Sequence, residues 1–470
     1  MRLRAAWALP VAFEPIEDAE VVVEDGMIVE VRRRRADGAS MDDALSFGEA
    51  VILPGFVNAH AHLEYTGLRG LLDDLPFFTW IRRLTDLKRL LKQPEAHPHC
   101  DDFWRASAIL GAAEAVAGGT TTIADCTDSG AALDGLIAVG ARGLIYQEVF
   151  GVEDPPSVET TIDAARQRVA MLADRADPSL HTIGVSPHSP YTVRPELLRA
   201  LGEWARDAQL PMCIHAAESA AEVEFIRRGT GEIGDHLRAR GITWMDTEAP
   251  RPRSSVAYLN QCGVLGSRTL LVHGINVSAS DRRIVADAGA SWVHCPRSNA
   301  TLGNGPAPLR WMAACADPPR VGLGTDSAVS AGTLDMLEEM RFGLLLQRGV
   351  NRQGRAMIAA RDILALATMG GARALGLSGR IGSLQPGLEA DITVLGLHGP
   401  RYAPINDVTS AVIYRGTAHD ILWTMVAGRI VYDAGTASAG AVETARKLAH
   451  AAVSDRLRIL RGALAAGSDR

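Results

Sequence analysis

Residues Val51–Glu64 read VILPGFVNAHAHLE. The run Val51–Asn58 is apolar almost without interruption, and a strand covered by helices on both faces reads that way. It predicts a buried parallel strand. His60 and His62 follow at its end. They are two residues apart, so the period-two geometry of a strand turns both imidazoles the same way, and two imidazoles can then meet one ion. Three later apolar runs end alike: Met212–His215 in CIHAAES, Leu270–His273 in LLVHGIN, and Val321–Gly324 just before Asp326 in GLGTDSA. Ligating side chains at the C-terminal ends of successive parallel strands define the active end of a (β/α)8 barrel.

The rest of the chain supplies the missing strands. Thr120–Asp125, Gly143–Val149, Thr182–Ser186 and Ser291–His294 complete a set of eight. Helical periodicity lies between most of them, as in Asp101–Val116, Arg194–Ala208, Ala220–Arg228 and Leu334–Leu346. This alternation predicts parallel α/β architecture, and eight repeats favour closure. A doubly wound open sheet would need a glycine-rich phosphate turn after its first strand, and none is present. At the two ends the pattern changes. Ala19–Val31 gives two strands around an Asp-Gly turn, and Ile421–Tyr432 gives two around a glycine, with ADITVL at Ala390–Leu395. The expectation is an α/β fold. A TIM barrel spans 53–376, a small β-sandwich domain is assembled from 1–52 and 377–440, and an amphipathic helix within 441–470 packs outside.

Bulk properties set limits. The 470 residues are 47% hydrophobic and 22% charged, as in a globular enzyme. A net charge of −7 gives no electrostatic case for nucleic acid or anionic membrane. No apolar run approaches the roughly 20 residues needed to span a bilayer. The N-terminal MRLRAAWALP is broken by Pro10 and runs into a strand, so it does not read as a signal peptide. Six cysteines with no CxxC pair read as reduced packing residues in a cytoplasmic protein. A second copy of the chain is the one protein partner left open.

The strand-end residues suggest one reaction centre. His60, His62, His215 and Asp326 offer three nitrogens and an oxygen, which suits one divalent metal, Zn2+ or Fe2+, with a position left for water. His273 is read as orienting that water. No lysine on the fourth strand could bridge a second metal. Glu218, three residues after His215, can protonate a ring nitrogen while the water attacks the adjacent carbon, with Asp326 taking the water's proton. That is hydrolytic deamination of a cyclic amidine. His188 in SPHSPYTV and Arg297 in HCPRSN are the candidate substrate contacts, with Arg69, Arg82 and Arg83 as rival cations. The bland readings are a core histidine for His215, helix caps for Glu218 and Asp326, a turn residue for His188 and a loop pin for Arg297. The joint placement on strands one, five and eight favours the chemical reading for the metal set.

PGFVNAHAH, HAAE, the lone His273, HCPRSN and GLGTDS together resemble the amidohydrolase superfamily, in its cytosine deaminase-like, chlorohydrolase and adenosylhomocysteine deaminase branch. The likeness runs through the C-terminal IGSLQPGLEADITVL and AGRIVYDAG. It implies His60, His62, His215 and Asp326 as metal ligands, Glu218 as proton shuttle, His273 as orienting residue and His188 near a nucleoside's sugar. HSPYTV, HAAESAAEVEFIRRGTG and HCPRSN look most like aminodeoxyfutalosine deaminases. This narrower likeness implies an adenine nucleoside carrying a benzoate, with Arg297 as its carboxylate clamp. Methylthioadenosine/adenosylhomocysteine deaminase, guanine deaminase and an amide- or ester-hydrolysing member are the alternatives. A barrel without activity is disfavoured by the complete ligand set.

Overall fold

A computed structural model describes residues 1–34, 44–91, 100–152, 157–242, 251–314, 320–350, 358–436 and 440–467. Cys315, His97 and His99 lie outside them. Among the described residues two eight-stranded sheets organise the fold.

The first sheet is built from both chain ends. Its strands are β1 (Arg2–Ala8), β2 (Ile16–Glu24), β3 (Met27–Arg33), β4 (Ala44–Ser46), β5 (Ala50–Pro54), β14 (Ile392–Gly396), β15 (Ile421–Val426) and β16 (Arg429–Asp433). They join in the order β16-β15-β14-β5-β1-β2-β3, with β4 also on β1. The sandwich expected from the chain ends therefore takes the form of one mixed sheet that forks at β1. The Asp-Gly turn is where the sequence put it. Asp25 and Gly26 both have positive φ, +49° and +79°, as a two-residue hairpin of the favoured twist requires. The C-terminal hairpin turns at Gly428, and a Cβ there would lie 2.5 Å from the Gly26 Cα. The two turns are packed backbone to backbone, which ties the ends of the chain together.

The second sheet is the barrel: β6 (Phe56–Ala61), β7 (Thr120–Thr127), β8 (Arg142–Val149), β9 (His181–Pro187), β10 (Met212–Ala216), β11 (Thr269–His273), β12 (Ser291–His294) and β13 (Val321–Leu323). Its neighbours pair in sequence order and all in parallel. The strands are almost wholly buried, as their unalternating apolar composition demands. The ring closes between β6 and β13. Little backbone ladder spans that seam, and the Asn58 side chain takes its place. Its amide donates to Thr325 Oγ1 (2.7 Å), and its Oδ1 accepts from the Thr325 N–H (3.0 Å). One residue on, Asp326 N–H donates to the His60 carbonyl at 2.9 Å, forming the bridge Ala61↔Asp326.

One expected strand divides. Val51–Asn58 is two strands, β5 in the small sheet and β6 in the barrel, broken at Gly55. A Cβ at Gly55 would lie 2.1 Å from the Thr121 side chain, so only glycine lets the chain cross there. The crossing thus falls a little beyond the expected 52/53 boundary. The helices match closely: Cys100–Ala117, Pro195–Asp207, Ala220–Arg228, Met336–Val350 and Ala441–Gly467. The last buries Val442, Ala449 and Val453 in the cluster that also holds Phe103, Ala106 and Ala113 of Cys100–Ala117. Among the described residues no helix is long and apolar enough to cross a membrane.

Candidate active site

The C-terminal ends of β6, β10 and β11 and the loop after β13 converge. His62 Nε2 and His215 Nε2 are 3.3 Å apart. Asp326 Oδ1 is 3.7 Å from His60 Nε2 and equally far from His62 Nε2. His60, His62 and Asp326 offer three ligand atoms within 4.8 Å of one another, and so do His60, His215 and His273. The sequence therefore placed five residues that the fold brings to one point.

Surrounding groups fix how they face it. His62 Nδ1 donates to the Cys126 carbonyl (2.9 Å), and His215 Nδ1 to the His188 carbonyl (2.8 Å). A carbonyl oxygen can only accept, so each Nε2 is left with its lone pair toward the centre. His273 Nδ1 likewise donates to Asn299 Oδ1 at 2.9 Å. Ser298 Oγ donates to Asp326 Oδ2 (2.6 Å) and Ser327 N–H to Oδ1 (2.7 Å), which sets the carboxylate plane. His273 and Asp326 sit at φ +74° and +61°. Non-glycine residues held there point to an over-determined local structure.

The donor set passes a simple test for a metal. His60 Nε2 is buried and has no hydrogen-bond partner, which is costly unless something else binds the lone pair. Burial lowers the His62 imidazole to about 3 and also depresses His215 and His273, so these rings are neutral, the form that ligates. His60 is the exception: burial opposes its protonation, but Asp326 and the Cys213 thiol raise it to about 10, so a metal bound here would displace its proton. Burial opposes ionisation of Asp326, yet the imidazoles around it, His60 foremost, hold it well below the usual carboxylate range. His60, His62, His215 and Asp326 thus have the chemistry of a mononuclear zinc-type site.

Glu218 stands beside this cluster. Its Oε1 is 3.8 Å from His273 Nε2 and 3.3 Å from the Asn304 amide nitrogen. Burial, reinforced by the Asp326 and Glu222 carboxylates, pushes Glu218 well above the usual carboxylate range. Glu222 does not compete for the site. It accepts from the Ala217 and Glu218 N–H groups at 2.7 and 3.0 Å and so shapes the turn that presents Glu218.

The cluster lies in a cavity of about 970 Å³ that also exposes His188, Tyr65, Lys88, Glu148 and Phe150. His188 lies between Phe150 and His215, tilted against both rings, with centroids 4.7 and 4.8 Å away. Arg297 is different, and the expectation of a clamp there is corrected. Its guanidinium donates to Glu339 and Glu338 (2.5 Å each) and to Thr333 (2.7 Å), and it does not line the cavity. Of the rivals, Arg69 is paired with Glu114, Arg83 is exposed away from the cavity, and Arg82 lines the rim. Lys88 was overlooked because it sits on the helix Phe77–Leu91 rather than at a strand end. Glu148 stands one residue before the end of β8, close to the strand-end position that singled out the histidines. Asn299, read as ordering its loop, also fixes the His273 tautomer.

Comparison with known proteins agrees with this architecture. Residues 51–431 match the model of the amidohydrolase family. A 5-methylthioadenosine/S-adenosylhomocysteine deaminase of Nitratidesulfovibrio vulgaris is 33% identical over 89% of both chains. An adenosine deaminase from Xanthomonas campestris, solved with bound zinc, superposes with a TM-score of 0.78 at 27% identity over 97% of this chain and 98% of its own. The Helicobacter pylori aminofutalosine deaminase, solved with methylthio-coformycin, shares the fold at a TM-score of 0.74 and 20% identity over 92% of this chain and all of its own. The chain belongs to the amidohydrolase family. It is a hydrolase acting on the C–N bonds of cyclic amidines, in a metal-dependent family.

Proposed function

We propose that the protein is a hydrolytic deaminase of an adenine-type nucleoside, using one divalent metal, Zn2+ in the first instance, held by His60, His62, His215 and Asp326. The observation that carries this reading is Glu218, a buried carboxyl raised above the carboxylate range and set beside the ligand cluster. The metal supplies a water acidic enough to attack near neutral pH. The protein residues do the rest. Glu218, protonated, donates to the ring nitrogen next to the carbon under attack. His273, with Nδ1 committed to Asn299, presents Nε2 as an acceptor that orients the nucleophile. Asp326 Oδ1 takes a proton that is then delivered to the departing amine, and the proton of the added hydroxyl returns to Glu218, so that ammonia leaves and an oxo-heterocycle remains.

For the substrate, the deaminase relatives favour methylthioadenosine and adenosylhomocysteine. Aminodeoxyfutalosine is the second reading. Its carboxylate loses Arg297 as a partner, yet Lys88 offers a cation within the cavity. Cytoplasmic residence is part of the same proposal, in keeping with the free, buried Cys126, Cys213, Cys262 and Cys295.

The test is ammonia release from zinc-loaded protein with adenosine, methylthioadenosine, adenosylhomocysteine, aminodeoxyfutalosine and guanine. Turnover of an adenine nucleoside is expected. Turnover of guanine alone, or of amides and esters alone, would overturn the reading. Glu218→Gln should retain the metal and lose on the order of 10²-fold or more in kcat.

A further inference from the structure

Glu148 is an anomaly in this cavity. It is the penultimate residue of β8, it is 3% exposed, and neither carboxylate oxygen has a hydrogen-bond partner. A buried carboxylate ordinarily collects several donors, since burying it bare is costly. Two other carboxylates nearby obey that rule. Glu64 accepts from Thr127 Oγ1, Asp128 N–H and Ser129 N–H at 2.8, 2.9 and 3.1 Å. Asp128 is ion-paired with Lys88 at 3.2 Å, and the Lys88 ammonium also donates to Tyr65 Oη at 2.8 Å. Lys88 thus offsets the local negative charge without bonding Glu148.

The position of Glu148 limits what could satisfy it. It lines the cavity, and one of its oxygens lies within 4.8 Å of ring nitrogens of both His188 and His215. The missing partner is therefore a donor on the bound substrate. Burial, opposed by Lys88 and reinforced by the Asp128 and Glu64 carboxylates, raises the bare Glu148 carboxyl to about 8; donors brought by a substrate favour its ionised form, which can only accept. An adenine substituted at its glycosidic nitrogen carries a single N–H donor group, the exocyclic amine, and deamination requires that amine to face the His60, His62, His215 and Asp326 cluster. The base has nothing left to give Glu148. A ribose has two adjacent hydroxyls, whose spacing suits two oxygens of one carboxylate, and a cavity of about 970 Å³ exceeds what a free base would need.

Resting on the deaminase reading above, we propose that Glu148 receives the vicinal hydroxyls of the substrate's ribose and so makes this site selective for ribonucleosides. Charge-assisted hydrogen bonds of this kind are strong and give discrimination as well as affinity, because a substrate lacking the hydroxyls leaves the carboxylate bare.

The experiment compares adenosine with 2′,3′-dideoxyadenosine, which has the same base and the same 5′-hydroxyl. Zinc-loaded wild type and Glu148→Ala are measured for kcat/KM by ammonia release and for affinity by calorimetry, with Glu148→Gln as a second, near-isosteric variant and melting curves as the check on folding. Wild type should favour adenosine by on the order of 10²-fold, chiefly through KM. Both variants should lose that preference through a fall on adenosine alone, leaving the two nucleosides within about threefold. An unchanged preference, or equal losses on both nucleosides, would overturn the assignment. If wild type deaminates neither, the deaminase reading fails. The Glu148 assignment is then decided by binding, standing if the variants abolish a measured preference for adenosine and falling if there is none to abolish.

Discussion

His60 shows how one residue can be legible in type and illegible in role. The motif HAH promised a ligand pair, and the fold delivers His60 Nε2 buried with no partner. Its neighbour His62 is tied back to the Cys126 carbonyl, so its free nitrogen has one direction to face. His62→Ala should therefore lower metal content from about one ion per chain to a small fraction, read by atomic emission on purified protein, with activity lost in parallel. Full occupancy in that variant would remove His62 from the ligand set. Arg297 makes the opposite point. An arginine after a barrel strand reads as a mouth-facing cation, but the sequence cannot show that Glu338 and Glu339, some forty residues on, lie against it. Arg297→Met leaves Glu339, 0% exposed, without its counter-charge. Removing one member of a buried pair costs about 3–5 kcal/mol. The melting temperature should fall clearly, and kcat/KM for carboxylate-bearing and neutral nucleosides should change by the same factor. A loss confined to the carboxylate substrate would restore the clamp.

At the scale of elements, the eight barrel strands were legible because most are short apolar runs closed by a polar residue or a glycine, and helix boundaries fell within a few residues because the helical periodicity stops there. The break at Gly55 was not legible. Val51–Leu53 and Phe56–Val57 are equally apolar, and nothing in composition says that one half pairs with β1 and β14 while the other pairs with β7. The information lies in the Thr121 side chain that fills the space a Cβ would need. Glu148 was missed for a related reason. Its position beside a strand end was visible, but its lack of partners depends on what the neighbouring strands and helix offer. Gly55→Val should force β5, β6 or Thr121 to move, at a cost of about 1–3 kcal/mol or more, as for overpacking of a dense core. Gly55→Val combined with Thr121→Ala should recover part of it, measured by denaturant midpoint at constant m-value. Full additivity of the two changes would show that the contact does not set the crossing.

At the scale of the whole molecule, the small sheet and the barrel are coupled by a buried cation. Arg142 opens β8, and its side chain is 1% exposed. Its guanidinium donates from Nε and Nη2 to Asp391 (3.1 and 3.0 Å), from Nη2 also to Glu389 (2.5 Å), and from Nη1 to the Ser179 carbonyl (3.2 Å). Asp391 lies just before β14 and also accepts the Ala427 N–H at 2.8 Å, at the turn that meets Gly26. One ion pair therefore touches the barrel floor, the last third of the chain and, through that turn, the first hairpin. The cation and the carboxylates are already desolvated, so the pair is worth little against an apolar replacement, but either partner alone is expensive to leave behind. Arg142→Met and Asp391→Asn should each destabilise by about 3–5 kcal/mol. The double variant should be less destabilised than the sum, with a coupling on the order of 1–3 kcal/mol in a double-mutant cycle. Asn at 391 keeps an acceptor for Ala427, so the cycle reads the charge and not the turn. Because the proposed metal ligands sit at the opposite end of the strands, zinc content at low temperature should be unchanged in all three variants. If zinc is lost together with stability in each of them, the floor and the mouth of the barrel unfold as one unit. If stability falls alone, the ion pair secures the small sheet to a barrel that holds its reaction centre independently.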